Sequence, residues 1–226
     1  ESNLLRQYEK KVADKAVILA MVEKDCEQYR QEFGAGRITL LPVFLPFGEV
    51  MSREGTGCFC LYHGNLSVAE NEQAVSWLLK QVFNGVDLPL IISGKNPSPR
   101  LTRMVEQHPH ACLIPNPSDE EIQDLITKAQ VNILPSFNCT GIKMKLLNAL
   151  FNGRYSVVNR DAVEGTGLES SCHIADCTEE MIDLVARLYA RPFTRADIED
   201  RKAQLAGRYN NEKNTRQLME LIWETP

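Results

Sequence analysis

The chain has 226 residues, of which 43% are hydrophobic and 24% charged, and its formal net charge at pH 7 is -5. This composition is typical of a globular protein that buries a real core, and the negative charge argues against a nucleic acid as partner. No apolar run reaches the length of a membrane span and no signal peptide is visible, so we expect a cytoplasmic protein. The first residue is Glu1 rather than Met, and we expect a piece of a longer protein.

The cysteines and histidines do not show the spacing of a metal site. The seven cysteines are odd in number and no two of them form a CxxC pair, so we expect reduced, buried thiols. None of the four histidines stands at ligand spacing from a cysteine. We therefore expect neither zinc nor another metal.

Residues 1–50 predict a helix, a strand, a second helix and a second strand, followed by a linker. Leu4, Leu5 and Tyr8 lie on one face of the first predicted helix, and two short apolar runs predict buried strands. Prolines and glycines then predict the linker, so we place a domain boundary there, with residues 1–50 as a terminal fragment plus linker and 51–226 as the main domain. The predicted elements are helix 3–15, strand 16–21, helix 23–33, strand 38–44 and linker 46–57.

From Cys58 onward short apolar runs alternate with amphipathic segments. This alternation predicts an α/β domain with a Rossmann-like parallel sheet and helices on both faces. The ligand of such a sheet lies outside the carboxyl ends of its strands. The predicted strands are 58–63, 88–93, 111–114, 131–134, 155–159 and 173–175, and the predicted helices are 69–83, 99–107, one capped by Ser118, 141–151, 179–189, 195–205 and 211–223.

The loop after the first strand of this domain, His63-Gly64-Asn65, is a candidate phosphate-binding turn. A glycine at a strand end lets backbone amides approach a phosphate, and the N-terminus of the next helix favours negative charge. Neither GxGxxG nor GxxxxGK[ST] is present, which argues against a nicotinamide or flavin cofactor. A glycine needed only for a tight turn is an equally good interpretation.

Two further strand ends carry residues that suit a ligand. Lys95 follows the second strand of the domain and can reach into the crevice, although most surface lysines have no specific role. Ile114 and Pro115 end the third strand and form an apolar edge that suits a nucleobase. The alternative is that these prolines only direct the chain.

The stretch from Asn138 to Leu150 is the most informative. Thr140 and Gly141 predict a helix start directly after the strand, and exposed amides there, with Lys143 or Lys145, suit a diphosphate. In the alternative interpretation the lysines form a solvated face and Thr140 is a simple N-cap. Because two lysines interrupt an otherwise apolar helix near the predicted crevice, we favour the binding site.

The order of these segments resembles a known family. YHGNL lies at the end of the first strand of the main domain, and IISG lies at the end of the second. The segment EEIQDLITKAQVNILPS is similar to the family's helix that leads into a strand ending in Pro-Ser. The segment LLNALFNGRYSVVN is similar to the family's segment LLEAMAxGxPVV. From about Cys58 to Trp223 the chain resembles the C-terminal, nucleotide-sugar-binding half of retaining GT-B glycosyltransferases of the bacterial group 1 type. ILAMVEKD resembles the end of the family's acceptor-binding half, most of which the chain lacks.

The resemblance implies a donor site in which several family contacts are replaced. The family carries two glutamates around the helix where this chain has Thr140 and Asn148, and an Arg and a Lys in the loop where it has Asn65 and Glu70. Asn148 can still bind a ribose hydroxyl, and the lysines near the crevice can supply the positive charge. The predicted donor-binding residues are His63, Gly64, Asn65, Lys95, Ile114, Pro115, Thr140, Gly141, Ile142, Lys143, Lys145 and Asn148.

The implied function is transfer of a sugar from a UDP- or GDP-linked donor to a glycan or lipid-linked acceptor. The resemblance implies no metal and no other cofactor, and we expect this chain alone to be inactive. The alternative is a catalytically degenerate GT-B-like binding or scaffold module. A third alternative, a sugar-nucleotide epimerase of the same overall fold, has less support, because the sequence shows no clear set of catalytic histidines or carboxylates. We also expect this chain to contact the N-terminal half of the enzyme or to form a homo-oligomer. The expected location is the cytoplasm, with peripheral attachment to the inner membrane as the alternative.

Overall fold

The computed structural model describes residues 2–13 and 15–223 of the protein. The regular elements of these residues follow one another as α1 (Ser2–Val12), β1 (Ile18–Ala20), α2 (Glu23–Phe33), β2 (Ile38–Leu40), β3 (Cys60–Asn65), α3 (Ala69–Trp77), β4 (Leu90–Lys95), α4 (Pro99–Glu106), β5 (Ala111–Pro115), α5 (Asp119–Lys128), β6 (Val131–Ile133), α6 (Met144–Asn152), β7 (Tyr155–Val158), β8 (His173–Ile174), α7 (Thr178–Tyr189), α8 (Arg195–Ala206) and α9 (Asn211–Trp223). A π-helical segment, Leu78–Val82, continues α3, and two short 3₁₀ turns lie between β7 and β8.

The main sheet has six parallel strands in the order β5-β4-β3-β6-β7-β8. The chain runs outward from β3 to β5 and then returns to place β6 on the other side of β3. This reversal puts a topological switch point between β3 and β6, where the helices that follow the two strands diverge. The predicted Rossmann-like α/β fold is confirmed.

The alternation of side chains along β3 explains why both faces of the sheet are covered. Cys60 and Tyr62 point into the larger core, which contains α3, α6 and α7. Phe59 and Leu61 point to the other face and pack with Ile126 of α5 in a smaller core. Strands buried on both faces are short and almost continuously apolar, as the first half of β3, Cys60-Leu61-Tyr62, is.

Several helices begin at caps that the sequence itself encodes. The Ser118 hydroxyl accepts from the backbone N–H of Glu121, and the Glu121 carboxylate accepts from the backbone N–H of Ser118. The capping box predicted for α5 is therefore confirmed. Thr194 and Asp197 form the same arrangement at α8.

The N-terminal segment forms a small parallel sheet of its own from β1 and β2, joined by α2. A separate cluster of buried side chains, including Cys26 and Phe33, supports it. The last helix of the chain packs along this segment, since Gln217 donates to the Leu40 carbonyl at 2.8 Å and Asn214 to the Pro42 carbonyl at 3.2 Å. The position of the domain boundary stays a prediction.

Some element bounds and one class of side chain differ from expectation. The first helix ends at Val12 rather than Lys15, where the chain turns, and Asp14 lies outside the described residues. The second strand ends at Leu40 because Pro42 lies just beyond it. The expectation of buried thiols holds for Cys26 and Cys60 but is wrong for the exposed cysteines, which lie on loops and on the edge strand β5: these are Cys58, Cys112, Cys139 and Cys177.

Candidate functional site

A groove of about 310 Å³ opens at the switch point, at the carboxyl ends of β3 and β6. The starts of α3 and α6 form its walls, which places two helix N-termini beside it. The lining residues are Gly64, Asn65, Glu70, Asn71, Pro135, Ser136, Ile142, Lys143, Met144 and Lys145. Five of the predicted donor-binding residues, Gly64, Asn65, Ile142, Lys143 and Lys145, are therefore brought together.

A smaller hollow of about 150 Å³ adjoins the groove across Gly64 and Asn65. It lies at the ends of β3 and β4, against the start of α5. Its further lining residues are His63, Ser93, Gly94, Lys95, Pro117, Asp119 and Ile122. The two cavities lie side by side along the carboxyl edge of the sheet and together form a crevice, with Lys143 and Lys145 in the groove and Lys95 in the hollow.

The glycines at these strand ends allow the two strands to pack closely. A Cβ at Gly94 would lie 1.8 Å from the Gly64 carbonyl oxygen, so no larger residue fits between the paired strands. A Cβ at Gly64 would meet the Asn71 amide at 3.4 Å. A glycine at position 94 is therefore required by the packing of the paired strands, whereas Gly64 borders both cavities.

The Lys145 ammonium lies at the floor of the groove, held by neutral side chains. Its Nζ donates to Asn71 Oδ1 at 2.8 Å and to the Tyr62 hydroxyl oxygen at 3.0 Å. It also lies 4.7 Å from the centre of the Tyr62 ring, within range of a cation–π interaction. This lysine faces the crevice and is not part of a solvated helix face.

The electrostatics of the groove follow from the burial of these groups. Burial, then repulsion from Lys143, lowers the pKa of Lys145 to about 8, while the Glu70 carboxylate opposes the shift. Burial and the Lys145 ammonium lower the pKa of His63 to about 3, so this imidazole is neutral at physiological pH. Its buried Nε2 has no hydrogen-bond partner among the described residues.

Glu70 and Asn138 connect the two walls of the groove. Asn138 Nδ2 donates to Glu70 Oε1 at 3.0 Å, which joins the first turn of α3 to the loop between β6 and α6. The same loop rests on α3 through the edge-on ring contact of Phe137 with Trp77, whose centroids are 5.8 Å apart. The loop is therefore attached to α3 both by a polar contact and by an aromatic one.

The helix predicted to start at Thr140 and Gly141 starts at Met144 instead. The Asn138 side-chain oxygen, Oδ1, accepts from the backbone N–H and the hydroxyl of Thr140, which favours a turn. Gly141 has φ of +64°, in the left-handed region that an α-helix excludes. Thr140 is accordingly not an N-cap; Lys143 occupies that position and donates to the Thr140 carbonyl at 2.7 Å.

The remaining predicted residues lie around the crevice in different ways. Lys95 lines the smaller hollow. Ile114 and Pro115 lie on β5, and the apolar residues of the hollow are Pro117 and Ile122 instead. Asn148 lies one turn along α6, where its side-chain oxygen accepts from the Asn152 amide at 2.8 Å.

Sequence reasoning did not identify Tyr62, Asn71 or Asn138 as site residues. Tyr62 is apolar in pattern and lies within a buried strand, so its hydroxyl contact carries no sequence signal. Asn71 follows Glu70 in an ordinary amphipathic helix. The one signal available was that three polar residues, Glu70, Asn71 and Glu72, occupy the first turn of α3, shortly after the candidate phosphate loop.

Within residues 2–13 and 15–223, no group of three or more His, Cys, Asp or Glu side chains could hold a metal ion. Within the same residues, none of the helices combines the length and the apolar character that crossing a bilayer requires.

Comparison with known proteins identifies the family. Residues 58–191 match the model of the family described as Glycosyl transferases group 1. This match covers more than half of the chain, so the protein belongs to that family, and the resemblance seen in the sequence is confirmed.

One curated relative and two solved structures illustrate the similarity. The chain is 29% identical over 174 residues to an uncharacterized 44.6 kDa protein of the cps region of Klebsiella pneumoniae, covering 73% of this chain and 44% of the relative. A TarM variant from S. aureus, solved with Fondaparinux, alpha-GlcNAc-glycerol and UDP, is 13% identical over 95% of this chain and 45% of TarM, with a TM-score of 0.73. HepE from Anabaena, solved with UDP and glucose, is 10% identical over 97% of this chain and 67% of HepE, with a TM-score of 0.70.

These comparisons bear on fold and on length. At such identities the likeness to the solved structures shows the fold, a Rossmann-like half of a GT-B glycosyltransferase. The chain spans less than half the length of the curated relative that it matches.

Proposed function

We propose that this chain is the donor-binding half of a glycosyltransferase, which holds a nucleotide-sugar at the carboxyl edge of its six-stranded sheet. The observation that carries the proposal is the Lys145 ammonium at the floor of the groove, beside the strand end at Gly64 and Asn65. A cation fixed between two helix N-termini suits the diphosphate of a UDP- or GDP-linked sugar. Membership of the family and the UDP in the TarM and HepE structures support the same ligand class.

The shapes and linings of the two cavities support a division of the donor between them. The diphosphate occupies the groove near Lys143 and Lys145, and the base occupies the adjoining hollow, whose apolar wall is formed by Pro117 and Ile122. Lys95 lies at the mouth of that hollow. Stabilisation of the departing diphosphate then comes from side-chain cations and helix N-termini, without a metal or another cofactor.

A second candidate is a catalytically degenerate binding or scaffold module. Thr140 and Asn148 stand where the family carries glutamates, and the Asn148 side chain is engaged with Asn152. A site that has lost these carboxylates retains the means to hold a diphosphate through Lys145. Binding without transfer is the property that distinguishes this candidate.

The acceptor and the protein partner belong to the rest of the enzyme. We propose that a glycan or lipid-linked acceptor is bound by an N-terminal half that packs on residues 2–44. Leu4, Leu5 and Tyr8 of α1 are 72%, 60% and 63% exposed, which supports burial of this face against that half or a second copy of the chain. We further propose a cytoplasmic location, with attachment at the inner membrane as the alternative.

The test is donor binding by this chain, followed by turnover in the full-length protein. UDP-, GDP- and ADP-linked sugars are screened by thermal denaturation, and a donor at one hundred times its dissociation constant should stabilise the chain by about 2.7 kcal/mol. Lys145→Met should weaken the best donor about 10- to 100-fold, because it removes a charge-assisted contact of about 1.5–3 kcal/mol. Lys80→Met, a lysine outside the groove, is the matched control.

Each outcome decides between the candidates. Binding that depends on Lys145, with release of nucleoside diphosphate by the full-length protein, supports the enzyme. Lys145-dependent binding without turnover supports the scaffold. If no donor binds, or if Lys145→Met and Lys80→Met behave alike, the proposed donor site is wrong.

A further inference from the structure

The hydrogen bonds at the floor of the groove converge on Asn71, in the first turn of α3. Its side-chain oxygen accepts from Lys145 Nζ at 2.8 Å and from the Tyr62 hydroxyl at 3.0 Å. Its side-chain nitrogen donates to the Asn65 carbonyl at 2.9 Å. One amide of α3 therefore contacts strand β3 at two points, Tyr62 and Asn65, and helix α6 at Lys145.

The Lys145 ammonium has a proton left for a ligand. An ammonium group carries three N–H donors. The contacts described for it use two of them, one to Asn71 and one to the Tyr62 oxygen. Because Lys145 lines the groove, the third can be directed toward a group bound there.

The acceptors that hold this ammonium are uncharged. Burial raises the pKa of the Tyr62 phenol, so that it stays protonated, and the Asn71 amide does not titrate. Neutral acceptors fix the position of a cation without cancelling its charge. A carboxylate in direct contact would form an ion pair with the ammonium, and the ammonium would then attract a second anion less strongly.

We propose that Asn71 is a positioning residue for phosphate binding: its neutral amide holds the Lys145 ammonium at the floor of the groove, with its charge and one N–H available to a phosphate oxygen. This inference rests on the proposed function, in which that phosphate belongs to the diphosphate of a nucleotide-sugar. Asn71 acts through Lys145 and does not itself bind the ligand.

The charged and titratable groups that face Lys145 set the pH range in which this arrangement operates. Lys143 faces it from the start of α6, Glu70 from α3, and His63 and Tyr62 from β3. Since the pKa of Lys145 lies near 8, its charge is present at pH 6.5 and is lost as the pH rises above 8. Phosphate binding through Lys145 should therefore weaken over the same range.

The experiment replaces Asn71 by groups of opposite effect and uses inorganic pyrophosphate as the probe. Asn71→Asp keeps the shape and adds a carboxylate; Asn71→Ala removes the acceptor. Gln73→Asp adds the same charge at an exposed position of the same helix and is the matched control. Pyrophosphate affinity is measured by calorimetry between pH 6.5 and 9, and the titration of Lys145 is followed by NMR of its labelled side chain.

The two Asn71 variants should move the Lys145 titration in opposite directions. In Asn71→Asp the midpoint should rise and the pyrophosphate affinity at pH 6.5 should fall about tenfold, because the carboxylate pairs with the ammonium. In Asn71→Ala the midpoint should fall, so that affinity is lost more at pH 8.5 than at pH 6.5. Gln73→Asp should change the affinity less than about threefold, since its charge is exposed and screened.

Two results would overturn the proposal. One is an unchanged titration midpoint of Lys145 in both Asn71 variants. Circular dichroism must show that both variants are folded. If Asn71→Ala does not fold, the titration in Asn71→Asp alone decides. The other is an equal loss of pyrophosphate affinity in Asn71→Asp and Gln73→Asp, which would make the effect one of charge and not of position.

A parallel titration with the best nucleotide-sugar separates this proposal from the proposed function. If pyrophosphate binding responds to Asn71 as described but no nucleotide-sugar binds, the positioning role stands and the proposed function fails. If a nucleotide-sugar binds equally well to the wild-type chain and both Asn71 variants, the positioning role fails and the proposed function stands.

Discussion

The Gln130 side chain attaches the segment before β3 to the main domain, and its removal has a predictable cost. Gln130 is fully buried. Its side-chain oxygen accepts from the Gly57 backbone N–H at 2.6 Å, and its nitrogen donates to the carbonyls of Leu188 at 3.0 Å and Arg191 at 2.5 Å. One amide thus joins the predicted linker, the start of β6 and the end of α7.

Gln130→Met keeps the length of the side chain and removes all three hydrogen bonds. The Leu188 carbonyl retains a bond from the Arg191 N–H, so the groups that lose their described partner are the Gly57 N–H and the Arg191 carbonyl. A buried polar group without a partner costs about 1–3 kcal/mol. Both groups lie near the surface and regain some water, so we expect the free energy of unfolding to fall by about 2–3 kcal/mol.

Urea denaturation at equilibrium, followed by circular dichroism, measures this difference. Gln123→Met on α5 is the matched control, because the half-buried Gln123 side chain makes no hydrogen bond among the described residues, and it should change stability by less than about 0.5 kcal/mol. Limited proteolysis should also cut the segment before Gly57 faster in Gln130→Met. If the two variants are equally stable, the reasoning that this amide attaches the segment is wrong.

Three further outcomes follow from the strand ends and one helix cap. Gly94→Ala should destabilise the protein by about 2–3 kcal/mol in thermal or urea melts, because its Cβ collides with the Gly64 carbonyl; Gly207→Ala, which has open space, should not, and equal effects would contradict the packing argument. The pKa of His63 is about 3 when folded and 6.5 in its ordinary state, so stability should fall by up to about 1.4 kcal/mol per pH unit as the pH drops from 6.5 toward 3. Urea melts across that range should show a shallower fall for His63→Gln, and an identical pH dependence would exclude His63 as its source. Ser118→Ala should lower the free energy of unfolding by about 1 kcal/mol in the same assay, and no measurable change would show that the cap is not stabilising.

The sheet could be predicted from the sequence because its signals are local. Each strand is a short apolar run between turn residues, and each helix shows an amphipathic period or a cap, as in the Ser118-Glu121 capping box. Alternation of the two implies parallel strands and a ligand at their carboxyl ends. The same local signals placed His63–Asn65 at a strand end and Lys143 and Lys145 near the start of a helix, and the structure brings these residues to one crevice.

Local signals were insufficient where two local structures compete. Thr140 and Gly141 carry an acceptable start for a helix, but the Asn138 side chain closes a turn on Thr140 and Gly141 adopts a left-handed conformation. The helix therefore begins three residues later, at Met144. Choosing between these alternatives depends on how the loop packs on α3, which the sequence does not display.

The sequence by itself determined the fold class, and it predicted the edge of the sheet at which the crevice lies and the lysines that line this crevice. Tertiary structure alone decided how that charge is held. Lys145 lies 83 positions from Tyr62 and 74 from Asn71 along the chain, and no periodic pattern relates them. They meet because β6 returns to pair with β3 at the switch point. Burial at that junction lowers the pKa of Lys145, and the oxygens of Asn71 and Tyr62 accept two of its N–H groups.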